Sequence, residues 1–169
     1  MISDKMQKQL NEQLNLELSS SYLYLAMSAY CRSIVRNGFA HWFEIQAQEE
    51  FMHAKKFYEY LLAQDADVEF LAIEKPESVY ESLVDLFARS LAHEQLVTKR
   101  INALTDLAVA DKDHATQVFL QWFITEQIEE ENSARSIIES LSQIADSKEG
   151  LFLLDLEMGK RVAETGANA

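Results

Sequence analysis

Glu49-Glu50-Phe51-Met52-His53 is the stretch on which the reading of this chain turns. It lies inside a helical pattern in which Phe39, Phe43, Gln46, Glu50, His53, Phe57 and Tyr60 follow at alternating steps of four and three. Such steps put residues on one face of a helix. That face is apolar at both ends and ionisable in the middle. A carboxylate and an imidazole at i, i+3 stand one above the other, about 5–6 Å apart at Cβ. Buried without partners, they would cost several kcal/mol. A satisfied core histidine is the commoner explanation of a single Glu-x-x-His, so the decision falls to the other helices.

Upstream, Met6, Leu10, Gln13, Glu17, Ser20, Tyr24, Met27 and Cys31 keep the same rhythm. Ser3 or Asp4 suits the N-cap of this helix. Asn37-Gly38 reads as a stop and turn, giving antiparallel helices over 4–36 and 39–63. Residues 64–78 lose the rhythm, and Ser78 with Glu81 reads as a capping box. This connection is long enough to cross a bundle at up to ~3.3–3.6 Å per residue. Its apolar run Val68-Glu69-Phe70-Leu71-Ala72-Ile73 should lie on a surface, against another subunit.

A third helix over 79–109 carries Leu83, Phe87, Ser90, Glu94, Val97, Ile101, Leu104 and Ala108 on one face. A fourth over 114–145 carries Leu120, Phe123, Gln127, Glu130, Ala134, Ile137, Leu141 and Ile144. Asp111-Lys112-Asp113 marks the turn between them. A short fifth segment, about 149–160, contains Leu151-Phe152-Leu153-Leu154-Asp155-Leu156 and is too apolar to stand free.

Each long helix therefore interrupts its stripe near its midpoint: Glu17, then Glu50 with His53, then Glu94, then Gln127 with Glu130. Antiparallel packing brings midpoints together, so one core layer should hold four carboxylates, an imidazole and an amide. Close carboxylates repel unless they are protonated or neutralised by cations. Oxygen ligands with one imidazole suit iron or manganese, with zinc possible. The competing readings are a solvated polar cleft or a protonated network. Bundles that hold two metals do so with carboxylates on facing helices, and ferritin-like proteins are the standard illustration of that rule.

The bulk numbers agree with a single domain over all 169 residues. Hydrophobic residues make up 48% and charged residues 25%, while four Gly and one Pro leave long helices uninterrupted. A formal net charge of -13 argues against nucleic acid or an anionic membrane as partner. The lone Cys31 excludes an internal disulfide, fits a reducing, cytoplasmic setting and reads as a core hydrophobe. The start Met1-Ile2-Ser3-Asp4-Lys5 has no signal-peptide character, and no apolar run approaches membrane-spanning length. His41, His93 and His114 read as surface or packing residues, and Trp42 and Trp122 as packing anchors.

The chain resembles the bacterial non-haem ferritins over nearly its whole length. The resemblance rests on Asn11-Glu12-Gln13-Leu14-Asn15-Leu16-Glu17-Leu18, Gln46-Ala47-Gln48-Glu49-Glu50, His93-Glu94-Gln95-Leu96, Phe119-Leu120-Gln121-Trp122-Phe123 and Glu126-Gln127-x-Glu129-Glu130-Glu131. It implies an all-α, ferritin-like four-helix bundle with a long crossover between helices two and three and a short C-terminal fifth helix. It further implies a hollow 24-subunit shell that stores iron, with two Fe(II) oxidised by dioxygen or peroxide at a ferroxidase site. Carried over by position, Glu17, Glu50 and His53 would hold the first iron. Glu50 would bridge to the second, completed by Glu94 and Glu130, with Gln127 a polar neighbour. Tyr24 would hydrogen-bond a ligand or donate an electron. A third iron position would match Glu49, Glu126, Glu129 and Glu130; the spacing of Glu126, Glu129 and Glu130 on one helix face supports it independently.

Two departures matter. Bacterioferritins repeat Glu-x-x-His on the fourth helix and place a haem-ligating Met after the second-helix Glu. Here Glu126-Gln127-Ile128-Glu129 and Phe51 stand there, so no haem is expected. Animal ferritins line a threefold pore with acids early in the fourth helix, where this chain has Thr116-Gln117-Val118-Phe119-Leu120; that access route does not carry over. The rival function is a non-storage di-iron peroxidase or oxygenase on the same bundle. Rubrerythrin-like peroxidases add a Cys-x-x-Cys module that a chain with one cysteine cannot form, and mini-ferritins lack a fifth C-terminal helix.

Overall fold

The computed structural model describes residues 2–144 and 147–163. Among these the chain forms α1 (Asp4–Ser33), α2 (Asn37–Ala63), α3 (Leu83–Ala110), α4 (His114–Ile144) and α5 (Lys148–Met158), with no strand. α1 packs chiefly on α2 and α3 on α4, α1 also meets α3, and α5 lies across α2 and touches α4. The four-helix layout with a long crossover is thus as expected. The apolar stripes form two separate cores. One contains Tyr24, Phe39, Phe43 and Phe87 and reaches out to Met158 of α5. The other contains Leu10, Phe57, Ile101 and Phe123. Between them lies the polar layer.

Several helix ends differ from expectation. α1 stops at Ser33 rather than near Arg36, and the stop is Val35, whose φ is 57°. The Arg36 amide reaches back to the Cys31 carbonyl at 2.9 Å, closing a Schellman-type end. Asp65 and Lys112 take the same left-handed conformation after α2 and α3, with φ of 54° and 55°. None of these positions is a glycine, so the usual stop signal is missing from the sequence. Val35 is the costliest of them, because left-handed backbone strains an L-residue by about 1–2 kcal/mol and most of all a β-branched one. Val35→Gly is therefore expected to stabilise the chain by about 0.5–1 kcal/mol after the entropy cost of glycine. A melting temperature at or below that of the parent would contradict this.

Gly38 is not a turn residue but lies in the first turn of α2. A Cβ there would fall 1.5 Å from the Asp155 carbonyl oxygen of α5, so glycine is required by close approach of backbone. Asp155 also turns its carboxylate on this helix start: Oδ1 accepts from the Gly38 and Phe39 amides at 3.0 and 3.1 Å. Arg36, at the N-cap position, offers no side-chain cap, and α5 supplies the missing acceptor.

α3 begins at Leu83, not 79. The N-cap is Ser82, whose Oγ accepts from the Asp85 amide at 3.1 Å, while Asp85 accepts from the Glu81 amide. The expected Ser78–Glu81 box does not form because the chain stays extended to bury Tyr80. The Tyr80 ring packs edge-on against Tyr30 at 5.0 Å, and its carbonyl accepts from the Tyr30 hydroxyl at 3.0 Å. α5 starts at Lys148 on the Ser147 cap and ends at Met158, two residues short of expectation. The expected end of the fourth helix at 145 lies outside the described residues.

The crossover, residues 64–82, is held by two buried asparagines one turn apart on α1. Asn11 donates to the Asp67 carbonyl at 2.9 Å and accepts from the Glu69 amide at 2.7 Å. Asn15 repeats the pattern on Glu69 and Leu71, both at 2.7 Å. These bonds satisfy backbone that has no ladder of its own. Phe70, Leu71 and Ile73 are left exposed in the single chain.

Candidate metal centre

The stripes deliver Glu17, Tyr24, Glu50, His53, Glu94, Gln127 and Glu130 to the layer between the two cores, all buried. One ligand atom each from Glu17, Glu50 and His53 lies within 4.8 Å of the other two, and the same holds for His53, Glu126 and Glu130. His53 turns Nδ1 to Glu50 Oε2 at 3.5 Å and Nε2 to Glu126 Oε1 at 3.8 Å. The sequence reading had Glu130 alone linking the inner and outer acids; in the structure His53 stands in both clusters.

Amides hold the carboxylates in place. Gln13 donates to Glu17 Oε1 at 2.8 Å. Gln46 donates to Glu50 Oε1 at 3.1 Å and to Glu130 Oε2 at 2.7 Å, across the bundle from α2 to α4. Gln127 donates to the Glu94 carbonyl and to Glu94 Oε2, both at 3.2 Å. The Tyr24 hydroxyl donates to Glu94 Oε1 in a short hydrogen bond. Glu94 belongs to neither three-residue cluster, its oxygens being turned toward Tyr24 and Gln127. Gln13 and Gln46 sat on the stripes in the sequence, but nothing in spacing alone assigned them a partner.

The outer acids are dispersed. Glu126 is half-buried beside His53, Glu129 is exposed and in neither cluster, and Glu49 pairs with Arg161 at 2.5 Å. His93 donates to or accepts from Ser20 Oγ at 2.7 Å and meets the Tyr24 ring edge-on at 5.9 Å. His41 meets the Arg161 carbonyl oxygen at 2.9 Å, and His114 is exposed. Trp122 lies edge-on to His53 at 5.3 Å, and Trp42 is part of the first core. Cys31 is buried there too, and burial pushes its thiol up to about 12.

Electrostatics divide the layer. Burial, then the Glu50 charge, raise Glu17 from 4.5 to about 8; the same two causes raise Glu94 to about 8. Burial and Glu94 push Glu130 well up. Burial would also raise Glu50, but the hydrogen bond and charge of His53 outweigh it and hold Glu50 below its ordinary value. His53 is correspondingly raised: Glu126 and Glu50 overcome the burial that would lower it. Without metal, burial and mutual repulsion favour the neutral forms of Glu17, Glu94 and Glu130, while Glu50 and His53 favour each other's charged forms.

A protonated Glu17 can hydrogen-bond Glu50, and its ionisation leaves a defect. Glu17 Oε2 and Gln13 Oε1 are buried with no hydrogen-bond partner. An unpartnered buried oxygen costs about 1–3 kcal/mol. A cation bound by Glu17, Glu50 and His53 would remove the defect for Glu17 and the repulsion among the acids together. Oxygen donors with one imidazole nitrogen fit Fe(II), Mn(II) or Zn(II).

A family model described as a ferritin-like domain matches residues 7–144. A bacterial non-heme ferritin of Staphylococcus aureus (strain USA300) is 40% identical over 161 residues, covering 95% of this chain and 97% of the relative. Among solved structures, the open pore ferritin of the hyperthermophilic archaeon Archaeoglobus fulgidus matches with a TM-score of 0.94 and 43% identity, over 96% of this chain and 100% of that one. A humanized archaeal ferritin matches with a TM-score of 0.96 and 42% identity, over 98% of this chain and 100% of the other.

Proposed function

The chain belongs to the ferritin family, and from that premise we propose that it stores iron by oxidising Fe(II) at the paired-metal layer and mineralising Fe(III) inside a 24-subunit shell. The observation that carries the ferroxidase reading is the buried, unpartnered Glu17 oxygen in a cluster with Glu50 and His53. Glu17, Glu50 and His53 take the first Fe(II); Glu50, Glu94 and Glu130 take the second. Each iron gives one electron, so dioxygen with two protons leaves as hydrogen peroxide, or hydrogen peroxide with two protons leaves as two waters. The two protons come from solvent, since metal binding has already displaced those of Glu17, Glu94 and Glu130. Gln127 orients Glu94 as a donor rather than a ligand, and Tyr24 hydrogen-bonds the same carboxylate and stands ready as an electron donor. Glu49, Glu126, Glu129 and Glu130 form a third iron position toward the edge. No haem is required, since Phe51 follows Glu50. The chain works as one ferritin-like domain in the cytoplasm, where thiols such as Cys31 stay reduced. No helix among the described residues is long and apolar enough to cross a membrane.

The protonation pattern gives a test. Metal must displace protons from His53 as well as from Glu17, Glu94 and Glu130, so binding two Zn(II) per subunit at pH 7 should release protons to the medium. Indicator absorbance in weak buffer reads this directly. Ordinary surface acids are already ionised and release none, so absence of release would contradict the buried layer as the site.

Stability of the metal-free protein follows with the same sign. Glu17 and Glu94 have folded values above their ordinary 4.5, so their contribution is full below that value and is lost as pH rises through about 8. Glu130 and the raised His53 act in the same direction, and the lowered Glu50 matters only at acid pH. The metal-free melting temperature should therefore fall between pH 5 and pH 8, and Zn(II) should restore it by mass action. A melting temperature that rises over that window would contradict the assignment.

A further inference from the structure

Arg161, just beyond the end of α5, reaches back onto α2 and fixes the direction of a buried amide. Its Nη1 donates to Gln46 Oε1 at 2.7 Å, and its Nη2 meets Glu49 Oε2 at 2.5 Å. The guanidinium lies over the Trp42 ring, 4.2 Å from its centroid, and the Arg161 carbonyl meets His41 Nε2 at 2.9 Å. Carboxylate, ring and backbone contacts together hold the guanidinium where it stands. Arginine has donors and no acceptor, so the Gln46 atom that faces it must be the oxygen. The amide NH2 is therefore turned inward, where it donates to Glu50 Oε1 at 3.1 Å and to Glu130 Oε2 at 2.7 Å. Glu50 Oε2 is left to face His53 Nδ1 at 3.5 Å. Gln13, which holds Glu17 in the same layer, has no such partner: its Oε1 is buried and unpaired.

We propose that Arg161 is a positioning residue for the paired-metal layer, acting through Gln46 to set which oxygens of Glu50 and Glu130 the protein engages and which it leaves for metal. The inference rests on the reading of Glu50 and Glu130 as metal ligands. With its oxygen unheld, the Gln46 amide can rotate or turn over, and an amide oxygen turned inward takes the donor away from both carboxylates. Bound to a guanidinium, the amide has one orientation, and the cationic donor polarises it so that its N–H groups donate more strongly. Glu50 and Glu130 stand on different helices, α2 and α4, and this single NH2 group ties them together. The chain after α5 thereby acts on the metal layer without contributing a ligand to it. α5 and the residue beyond it work on the same helix: Asp155 caps the start of α2, and Arg161 holds Gln46 farther along.

Zn(II), which does not change oxidation state, reads the layer without turnover. Its affinity is measured by competition with a chromophoric chelator in the assembled parent, Arg161→Gln, Gln46→Met and the double variant, with Glu50→Ala as the control for where the metal binds. A glutamine at 161 can donate or accept, so it keeps a polar side chain there but no longer dictates the direction of Gln46. Partners that orient a metal ligand are worth about 10–100-fold in affinity. Gln46→Met should weaken binding within that range, and Arg161→Gln by about tenfold, at its lower end. The double variant should be no weaker than Gln46→Met, because Arg161 acts only through the amide. A general loosening of the chain after α5 would instead weaken the double variant by the product of the two single effects. That product, parental affinity in Arg161→Gln, or parental affinity in Gln46→Met would each overturn the proposal while the paired-metal reading stands. Parental affinity in Glu50→Ala would overturn the paired-metal reading and the proposal with it. Should Arg161→Gln fail to assemble, Arg161→Met, which keeps an aliphatic stem over Trp42, takes its place in the cycle and the same outcomes decide.

Discussion

Replacing Glu50 by alanine is expected to abolish rapid oxidation of the first two Fe(II) per subunit, by roughly a hundredfold or more. Even partners that only orient a metal ligand cost 10–100-fold when removed, and Glu50 is placed to be a ligand of both metals. It is the one acid of the layer held below its ordinary pKa, it faces His53 Nδ1, and it shares Gln46 with Glu130. His53→Ala should fail in the same way, since His53 belongs to both ligand clusters. Glu129→Ala should keep the fast phase and alter the ratio of iron to oxygen consumed, because Glu129 is exposed and in neither cluster. Glu126→Ala should fall between, since Glu126 faces His53 Nε2 at 3.8 Å. Stopped-flow absorbance with an oxygen electrode ranks the four variants. Were Glu129→Ala as slow as His53→Ala, the outer acids would not be separable from the pair.

The second large effect is expected far from the metals. Gly38→Ala should expel α5 from its seat, because the new methyl group would overlap the Asp155 carbonyl oxygen and neither backbone can yield. Overpacking of this kind costs about 1–3 kcal/mol, and this contact belongs at the upper end. Leaving the seat also removes the Asp155 cap from α2, worth about 1 kcal/mol, and uncovers Met158 from the first core. Asp155→Ala alone should cost only the cap. Deleting residues from Gly150 onward should weaken the closed shell while sparing the bundle. Melting temperature and gel-filtration size check all three, with hydrogen exchange across 148–158 for the point variants. Gly38→Ala with parental melting and a protected α5 would contradict the close-approach account.

Periodicity carried most of the architecture. The four–three rhythm put Glu17, Glu50, His53, Glu94, Gln127 and Glu130 on core faces, and all are buried in the layer. What it could not carry was anything decided by contact across the chain. Gly38 looked like a turn residue because the backbone that excludes a Cβ belongs to Asp155, far along the sequence. The α3 start was misplaced because burial of Tyr80 overrode a good local capping box. The helix end at Val35 gave no local sign, since a β-branched residue does not favour left-handed backbone, whereas Asp111-Lys112-Asp113 was legible as a turn. Arg161 stood in a polar tail with no periodic context, so its contacts with Glu49 and Gln46 were invisible until the fold joined them. The amides of Gln13 and Gln46 lay on the right faces, but a stripe shows the face and not the partner.

The paired-metal layer is the central claim, and anomalous diffraction from crystals of the assembled protein soaked anaerobically with Fe(II) tests it most directly. Two iron peaks are predicted in the buried layer, about 3.5–4 Å apart, one between Glu17, Glu50 and His53 and the other between Glu50, Glu94 and Glu130. A single peak at the exposed acids, or an empty layer at saturating Fe(II), would contradict it.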